Sequence, residues 1–267
     1  MTTAARIDLD AELAFAHHLA DVAANISMAH FRRNVERWTK SDGSIATAGD
    51  FAVEDALRAL VATERPGDSF LGEERGQTGD GGRRWIVDGI DGTADFAVDS
   101  PDWGTLIALE ADGRIHVGVC VQPAHGRRYW ASRGCGAFAG DGEGQRARRL
   151  HVSDRADLRT ARTYVPRPEW ARDAATLVNI DALARATTPM PHDDHPALQV
   201  ALGEREGAVF FLGGAWDLAA PALIVEEAGG RYTDAEGRYD WTTGSAVFSN
   251  GHVHDELLGL TRSRPVG

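Results

Sequence analysis

Apolar residues recur at helical spacing over residues 8–31, where Leu9, Leu13, Ala16, Leu19, Val22 and Ile26 fall on one face. This pattern predicts an amphipathic helix. A polar stretch follows, Lys40-Ser41-Asp42-Gly43-Ser44. The helical period returns over 51–62 and breaks at Pro66-Gly67, which predicts a second helix. The period then shortens. Phe70-Leu71-Gly72-Glu73-Glu74 predicts a short strand running into a loop, and the Gly-rich residues 77–82 read as a mobile loop. Trp85-Ile86-Val87-Asp88 predicts a buried strand ending in an acid. Residues 103–110 and 115–122 are apolar runs that flank Ala111-Asp112-Gly113-Arg114. Asp-Gly between two such runs predicts a β-hairpin, and 127–132 predicts a further strand. A polar, Gly-rich and basic break over 140–149 divides the chain into 1–143 and 144–267. The clearest later element is a helix over 218–228, with Pro221 in its first turn and Gly229-Gly230 as its stop.

Composition narrows the class. With 267 residues, 43% of them hydrophobic, the chain can bury a full core without staples. Its two cysteines, Cys120 and Cys135, exclude a disulfide framework and a Cys-x-x-Cys metal site. They suit a reducing, cytoplasmic setting. The N-terminal residues lack the pattern of a signal peptide. No apolar run approaches the ~18–20 residues that span a bilayer. The net charge of −12 speaks against nucleic acid or an anionic membrane as partner. It would also repel a phosphorylated ligand, so cations would have to reverse the field at any such site. Part of the acidic excess then serves as metal ligand, and the rest is solvated surface.

The candidate chemistry lies in Trp85-Ile86-Val87-Asp88-Gly89-Ile90-Asp91-Gly92-Thr93. Asp88 and Asp91 lie close enough in sequence to share one cation. Mg²⁺ takes oxygen ligands in octahedral geometry, and the Ile90 carbonyl lies between the two acids. Gly92 permits close backbone approach. A helix or turn starting at Gly92-Thr93 would offer N–H groups to a phosphate. An isolated Asp-x-x-Asp-Gly-Thr reads first as a capped turn with solvated acids. Glu73-Glu74 is equally a solvated loop, and Asp217 after Trp216 equally a helix cap.

Taken together, Gly72-Glu73-Glu74, the segment from Trp85 to Thr93, and Trp216-Asp217-Leu218-Ala219-Ala220-Pro221 with Glu227-Ala228-Gly229-Gly230 resemble the three signature motifs of the inositol monophosphatase family. The resemblance spans roughly residues 10–258. It implies an α/β (α+β) fold, a layered αβαβα sandwich of the inositol monophosphatase and fructose bisphosphatase type. The first subdomain would carry the metal motifs, and the second would complete the site and substrate pocket. The resemblance implies a homodimer and a lithium-sensitive, Mg²⁺-dependent phosphomonoesterase with two or three ions per site, Mn²⁺ being a substitute. Glu73, Asp88 and the Ile90 carbonyl resemble ligands of one ion, and Asp88, Asp91 and Asp217 those of another. Thr93 resembles the residue that, with Glu73, orients the attacking water, and Asp50 the acid that holds Thr93. Asp91, Gly92 and Thr93 would bind the phosphate.

Within the family, Trp103-Gly104-Thr105-Leu106-Ile107-Ala108-Leu109 and the segment 127–138 resemble actinobacterial-type histidinol-phosphate phosphatases. Asp193 matches an acid expected to meet the substrate amine, or is a plain loop acid. Gly89 stands in place of the family's usual proline, which loosens the turn. Ala94-Asp95-Phe96 replaces a polar-Asn-Phe stretch, and Asp95 is a candidate substrate residue. Phe210 replaces a glutamate that binds a substrate hydroxyl or amine. The ring argues against a polyol and for a substrate with a flat or apolar part, unless Phe210-Phe211 is simply core. His192-Asp193-Asp194-His195 reads as a polar loop at the substrate mouth. A nucleotide, a sugar phosphate or a specialised metabolite is the alternative substrate. A non-catalytic phosphate-metabolite binder is opposed by the intact set of acids, and a scaffold by the lack of charge blocks.

Overall fold

The computed structural model describes residues 7–41, 43–140, 147–191 and 194–262. Helix α1 (Leu9–His30) starts where the Asp8 carboxylate accepts a hydrogen bond from Ala11 N–H at 3.2 Å. Its buried face centres on Phe15, Ala16, Leu19, Ala20 and Ala23, while Leu13, Val22 and Ile26 flank it half-buried. The small alanines let the helix lie close against the sheet below. Strands β1 (Arg37–Thr39) and β2 (Ile45–Thr47) pair antiparallel and lead into helix α2 (Ala48–Glu64). This helix starts three residues before the apolar period does. The Asp50 carboxylate accepts from Thr47 N–H at 2.8 Å and Thr47 Oγ1 accepts from Gly49 N–H at 3.2 Å, a side-chain cap that hydrophobic spacing cannot reveal.

The larger sheet contains β3 (Ser69–Gly72), β4 (Gly76–Thr78), β5 (Arg83–Asp91), β6 (Gly104–Ala111), β7 (Arg114–Gln122), β8 (Arg127–Ser132), β9 (Gly136–Gly140) and β10 (Arg148–Arg149). Their order is β10-β9-β8-β7-β6-β5-β3-β4, and β3–β5 is the parallel pair. The short helix α3 (Thr93–Phe96) follows β5. The predicted hairpin joins β6 to β7 with Asp112 at φ 51° and Gly113 at φ 69°, the two positive values of a type I′ turn. Two expectations change. Gln77 and Thr78, read as loop, pair with Leu71 and Phe70. Strand β5 does not end at Asp88 but continues to Asp91 through a register shift against β6. Gly89 therefore sits buried inside a strand, not in a loosened turn.

The later elements are β11 (Arg162–Tyr164), α4 (Ala174–Ala186), β12 (Thr188–Met190), α5 (Pro196–Ala201) and β13 (Gly207–Phe210). They continue with α6 (Ala215–Glu227), β14 (Arg231–Thr233), β15 (Ala246–Ser249) and α7 (His254–Thr261). The second sheet runs β12-β11-β13-β15-β14. Helix α6 starts three residues earlier than its apolar run suggested, so Pro221 lies inside the helix rather than in its first turn. Residues from Leu218 to Val225 are all buried, as befits a helix enclosed between two sheets.

Three hydrophobic cores set the layers. Phe15, Leu19, Val53, Leu57, Trp85 and Ile107 join α1 and α2 to one face of the larger sheet. Ile86, Cys120, Leu198, Leu223, Ala208 and Phe248 join its other face to α5, α6 and the second sheet. Leu183, Val209, Val247 and Leu257 join that sheet to α4 and α7. The result is the αβαβα sandwich. Strand β10 belongs to the larger sheet, which thus receives a strand from beyond residue 143. Both cysteines are free, and among the described residues no helix is long and apolar enough to cross a membrane.

Candidate active site

The end of β5 and the first turn of α6 bring three acids together. Asp88, Asp91 and Asp217 each present a carboxylate oxygen, and these oxygens all lie within 4.8 Å of one another. Asp217 does not cap α6 from outside. It occupies the first turn and accepts a hydrogen bond from Gly214 N–H at 2.5 Å, while Trp216 is only half-buried. After β5, Gly92 adopts φ 82° and starts α3. A Cβ there would stand 2.9 Å from the Asp102 carbonyl oxygen, so the turn requires glycine. Helix α3 leaves its first N–H groups, near Thr93, without helical acceptors.

Thr93 Oγ1 lies 2.8 Å from Asp50 Oδ1 and 2.9 Å from the Ile90 carbonyl oxygen. The hydroxyl has one proton to give. Donating it to the carboxylate leaves the Ile90 carbonyl lone pairs for another partner. Asp50 is buried, which pushes its carboxyl upward, and the bonds from Thr47 and Thr93 oppose that push.

Glu73 stands apart from this close trio. Its Oε1 accepts from Lys40 Nζ at 2.7 Å, and Glu74 Oε1 accepts from the same ammonium at 2.6 Å. Glu73 still raises both Asp88 and Asp91 through space, so it borders the trio. Behind it, the buried Glu54 accepts from Glu74 N–H at 2.7 Å and from Arg75 N–H at 3.0 Å, which shapes the loop. Gly72 is required there, because a Cβ would fall 2.3 Å from the Glu54 carboxyl carbon.

Burial dominates the electrostatics. It pushes Asp91 up to about 7, with Glu73 and Asp95 adding to the shift and Gly92 N–H opposing it. Asp217 is likewise pushed up to about 7 by burial and then by Asp91. Asp88 rises well above the carboxylate range through burial, Glu73, Asp217 and Asp91. With Asp88 buried and Asp91 and Asp217 half-buried, three carboxylates facing one another at this distance do not all remain ionised without a countercharge. Their donor set is oxygen only, which fits a hard divalent cation such as Mg²⁺.

Among the described residues, two cavities flank the trio. The larger, about 290 Å³, opens beside Asp91 and Asp217 and is walled by Tyr164, Trp170, Phe210 and Phe211. The smaller, about 90 Å³, lies along Gly92, Trp103, Cys120 and Gln122. Phe210 and His195 form part of both. Phe210 is thus both cavity wall and packing residue, with its ring 5.2 Å from Tyr164 and 5.7 Å from Phe248. Asp95 follows Asp91 on α3 and acts on it through space. His192 and Asp193 lie outside the described residues. His254 is buried between Thr233 and Ser249, away from the site.

Sequence reasoning missed Lys40 and gave His195 no role of its own. Lys40 had one signal: it is the only lysine in the chain. His195 is pushed down to about 4 by burial, against the raising effect of Asp194, and is therefore neutral.

The chain is similar to known proteins in sequence and in fold. A histidinol-phosphatase of Mycobacterium tuberculosis is 40% identical over 92% of this chain and 96% of its own length. One of Streptomyces coelicolor is 37% identical over 95% of this chain and 97% of its own. The crystal structure of the extragenic suppressor protein suhB from Bartonella henselae matches with a TM-score of 0.85 at 26% identity. That match covers 95% of this chain and 99% of the other. The model of the inositol monophosphatase family matches residues 8–265, and with it the chain belongs to this family of phosphoric monoester hydrolases.

Proposed function

We propose that the chain is a Mg²⁺-dependent phosphomonoesterase whose substrate is histidinol phosphate. The observation that carries this reading is the convergence of Asp88, Asp91 and Asp217 beside a cavity with aromatic walls. The kinship to two histidinol-phosphatases supports the substrate.

Asp88, Asp91, Asp217, Glu73 and the Ile90 carbonyl would hold two or three ions, with Mn²⁺ as a substitute. When bound, Mg²⁺ supplies a nucleophilic water at neutral pH and charge stabilisation for the leaving oxygen. The chain's own residues do the rest. Asp50 accepts a hydrogen bond from the Thr93 hydroxyl and so aims the Thr93 oxygen lone pairs outward to accept from the attacking water. Glu73 orients the same water together with Thr93. The backbone N–H groups of Gly92 and Thr93 hold phosphate oxygens in place, and Asp91 borders them. Asp95 and Phe210 would border the alcohol half of the substrate, and Asp193 is expected to meet its amine.

The same reading includes two subdomains, 1–143 and 144–267, with the site between them, a cytoplasmic location and a homodimer. Asp88 and Asp91 from the larger sheet, facing Asp217 and Phe210 from the later segment, support such a division. Two free cysteines suit a reducing compartment.

The test is phosphate release from a panel of phosphomonoesters with and without Mg²⁺. Histidinol phosphate should be hydrolysed fastest, and exhaustive chelation should abolish turnover. Activity that survives chelation refutes the metal reading. Preference for a nucleotide or a sugar phosphate replaces the substrate. Lithium at tens of millimolar, roughly the range for a weakly held hard-cation site, should inhibit.

A further inference from the structure

His195 directly precedes α5, and its ring forms part of the wall of both cavities. Neither ring nitrogen has a hydrogen-bond partner among the described residues. Nδ1 is enclosed without one, and Nε2 lies 3.8 Å from Asp91 Oδ2, beyond hydrogen-bond length. A buried atom such as Nδ1 is rarely left in this state, because it costs the desolvation it is not repaid for, whereas Nε2 is not enclosed in this way and is open to a partner from the cavities. Nε2 lies on the Asp91 side of the ring, and Asp91 borders both cavities.

The ring is held in place. Asp194 is buried and accepts from the His195 backbone N–H at 2.6 Å, from Gln122 Nε2, and from Arg127 Nη1 at 3.2 Å. Gln122 ends β7 and Arg127 begins β8, so the backbone at His195 is tied to the larger sheet. Phe210 stands beside it, with ring centres 6.4 Å apart. The result is a fixed polar atom in a wall whose side away from Asp91 and Asp217 is mostly apolar or aromatic, with Tyr164, Trp170, Phe210 and Phe211 among its rings. A polyol would leave most of its hydroxyls unpaired against such a wall. A flat ring with one or two polar atoms would stack on it and still meet a hydrogen-bonding group.

The geometry points to His195 as a specificity residue: its Nε2 meets a polar ring atom in the alcohol half of the substrate, which therefore carries a planar heteroaromatic ring. Asp194 acts as its positioning residue. The inference rests on the phosphomonoesterase reading and adds to it the residue that reads the ring of the substrate.

The experiment compares imidazolylethyl phosphate, phenylethyl phosphate and inositol monophosphate at saturating Mg²⁺, for the wild type, His195→Phe and His195→Gln. Calorimetric binding of imidazolylethanol runs alongside, with thermal melts to confirm folding. Should His195→Phe not fold, His195→Leu takes its place. In His195→Phe the ratio of kcat/KM for the imidazolyl over the phenyl ester should fall about tenfold, chiefly through KM. Glutamine, which can place a nitrogen at similar reach, should restore much of it. The Mg²⁺ half-saturation should stay where it is. An unchanged ratio overturns the inference. So does an equal loss on all three esters or a shifted Mg²⁺ half-saturation, since His195 would then act through Asp91. If no ester releases phosphate with Mg²⁺, the phosphomonoesterase reading fails, and the calorimetry decides the inference alone. Binding of imidazolylethanol weakened about tenfold in His195→Phe supports it, and equal affinity overturns it.

Discussion

Lys40 Nζ lies 2.7 Å from Glu73 Oε1, so the only lysine in the chain neutralises an acid at the edge of the carboxylate trio. Burial works against the ammonium, but the hydrogen bonds to Glu73 and Glu74 outweigh it and hold Lys40 above its ordinary value. Lys40 therefore competes with cations for Glu73. Lys40→Met should lower the Mg²⁺ concentration for half-maximal activity about two- to fivefold, the worth of a half-exposed ion pair. A rise instead would mean that Lys40 presents Glu73 to the cation rather than withholding it.

Asp88 is the most deeply buried of the trio and is raised by each of its acidic neighbours. Asp88→Asn should reduce turnover to well under a tenth of wild type. It should also raise the melting temperature of the metal-free protein, because a mutually repelling buried carboxylate is removed. Turnover above a tenth would show that Asp88 is not central to the site.

The two acids near 7 make metal-free stability depend on pH. Their folded values exceed the unfolded carboxylate value of about 4. Between these limits the folded state binds more protons than the unfolded one, so stability falls as pH rises from about 4 to 7. Bound Mg²⁺ takes the place of those protons. Melting temperatures of the metal-free protein should therefore decline from pH 5 to pH 8, with a smaller decline when Mg²⁺ is present. Calorimetry near pH 6.5 in buffers of different ionisation enthalpy should show proton release on Mg²⁺ binding. A proton count of zero would mean that the acids are already ionised.

Phe210 forms a wall of both cavities yet is not among the clustered acids. Phe210→Glu should leave Mg²⁺ half-saturation intact and lower kcat/KM for the native substrate roughly 10–200-fold. Polyhydroxylated phosphates should improve in rank. Because the ring also packs on Tyr164 and Phe248, a melting curve must accompany the kinetics. A folded variant with an unchanged substrate ranking would reduce Phe210 to a packing residue.

Much of this architecture is legible in local sequence. The helical period predicts α1, Asp112-Gly113 predicts the β6–β7 turn, and the acids of the Trp85–Thr93 segment mark the candidate site. The errors fall at element ends. Helices α2 and α6 start three residues early because Asp50 and Asp217 bond to backbone N–H groups, which apolar spacing does not register. Strand β5 runs past Asp88 because pairing with β6 resumes at Asp91 after the register shift.

The sequence alone determined the menu of elements, the acidic candidates and the family resemblance, since turn chemistry, side-chain period and motif spacing act over a few residues. Tertiary structure decided which of those residues meet. Asp217 reaches Asp88 and Asp91 because the apolar faces of two sheets enclose α6. Lys40 reaches Glu73 because the β1–β2 pair leads the chain back over the loop after β3. His195 comes to stand between the two cavities because Asp194 ties the chain before α5 to β7 and β8. Each of these contacts joins segments far apart in sequence, and burial of apolar surface, which has no directional code along the chain, is what brings them together.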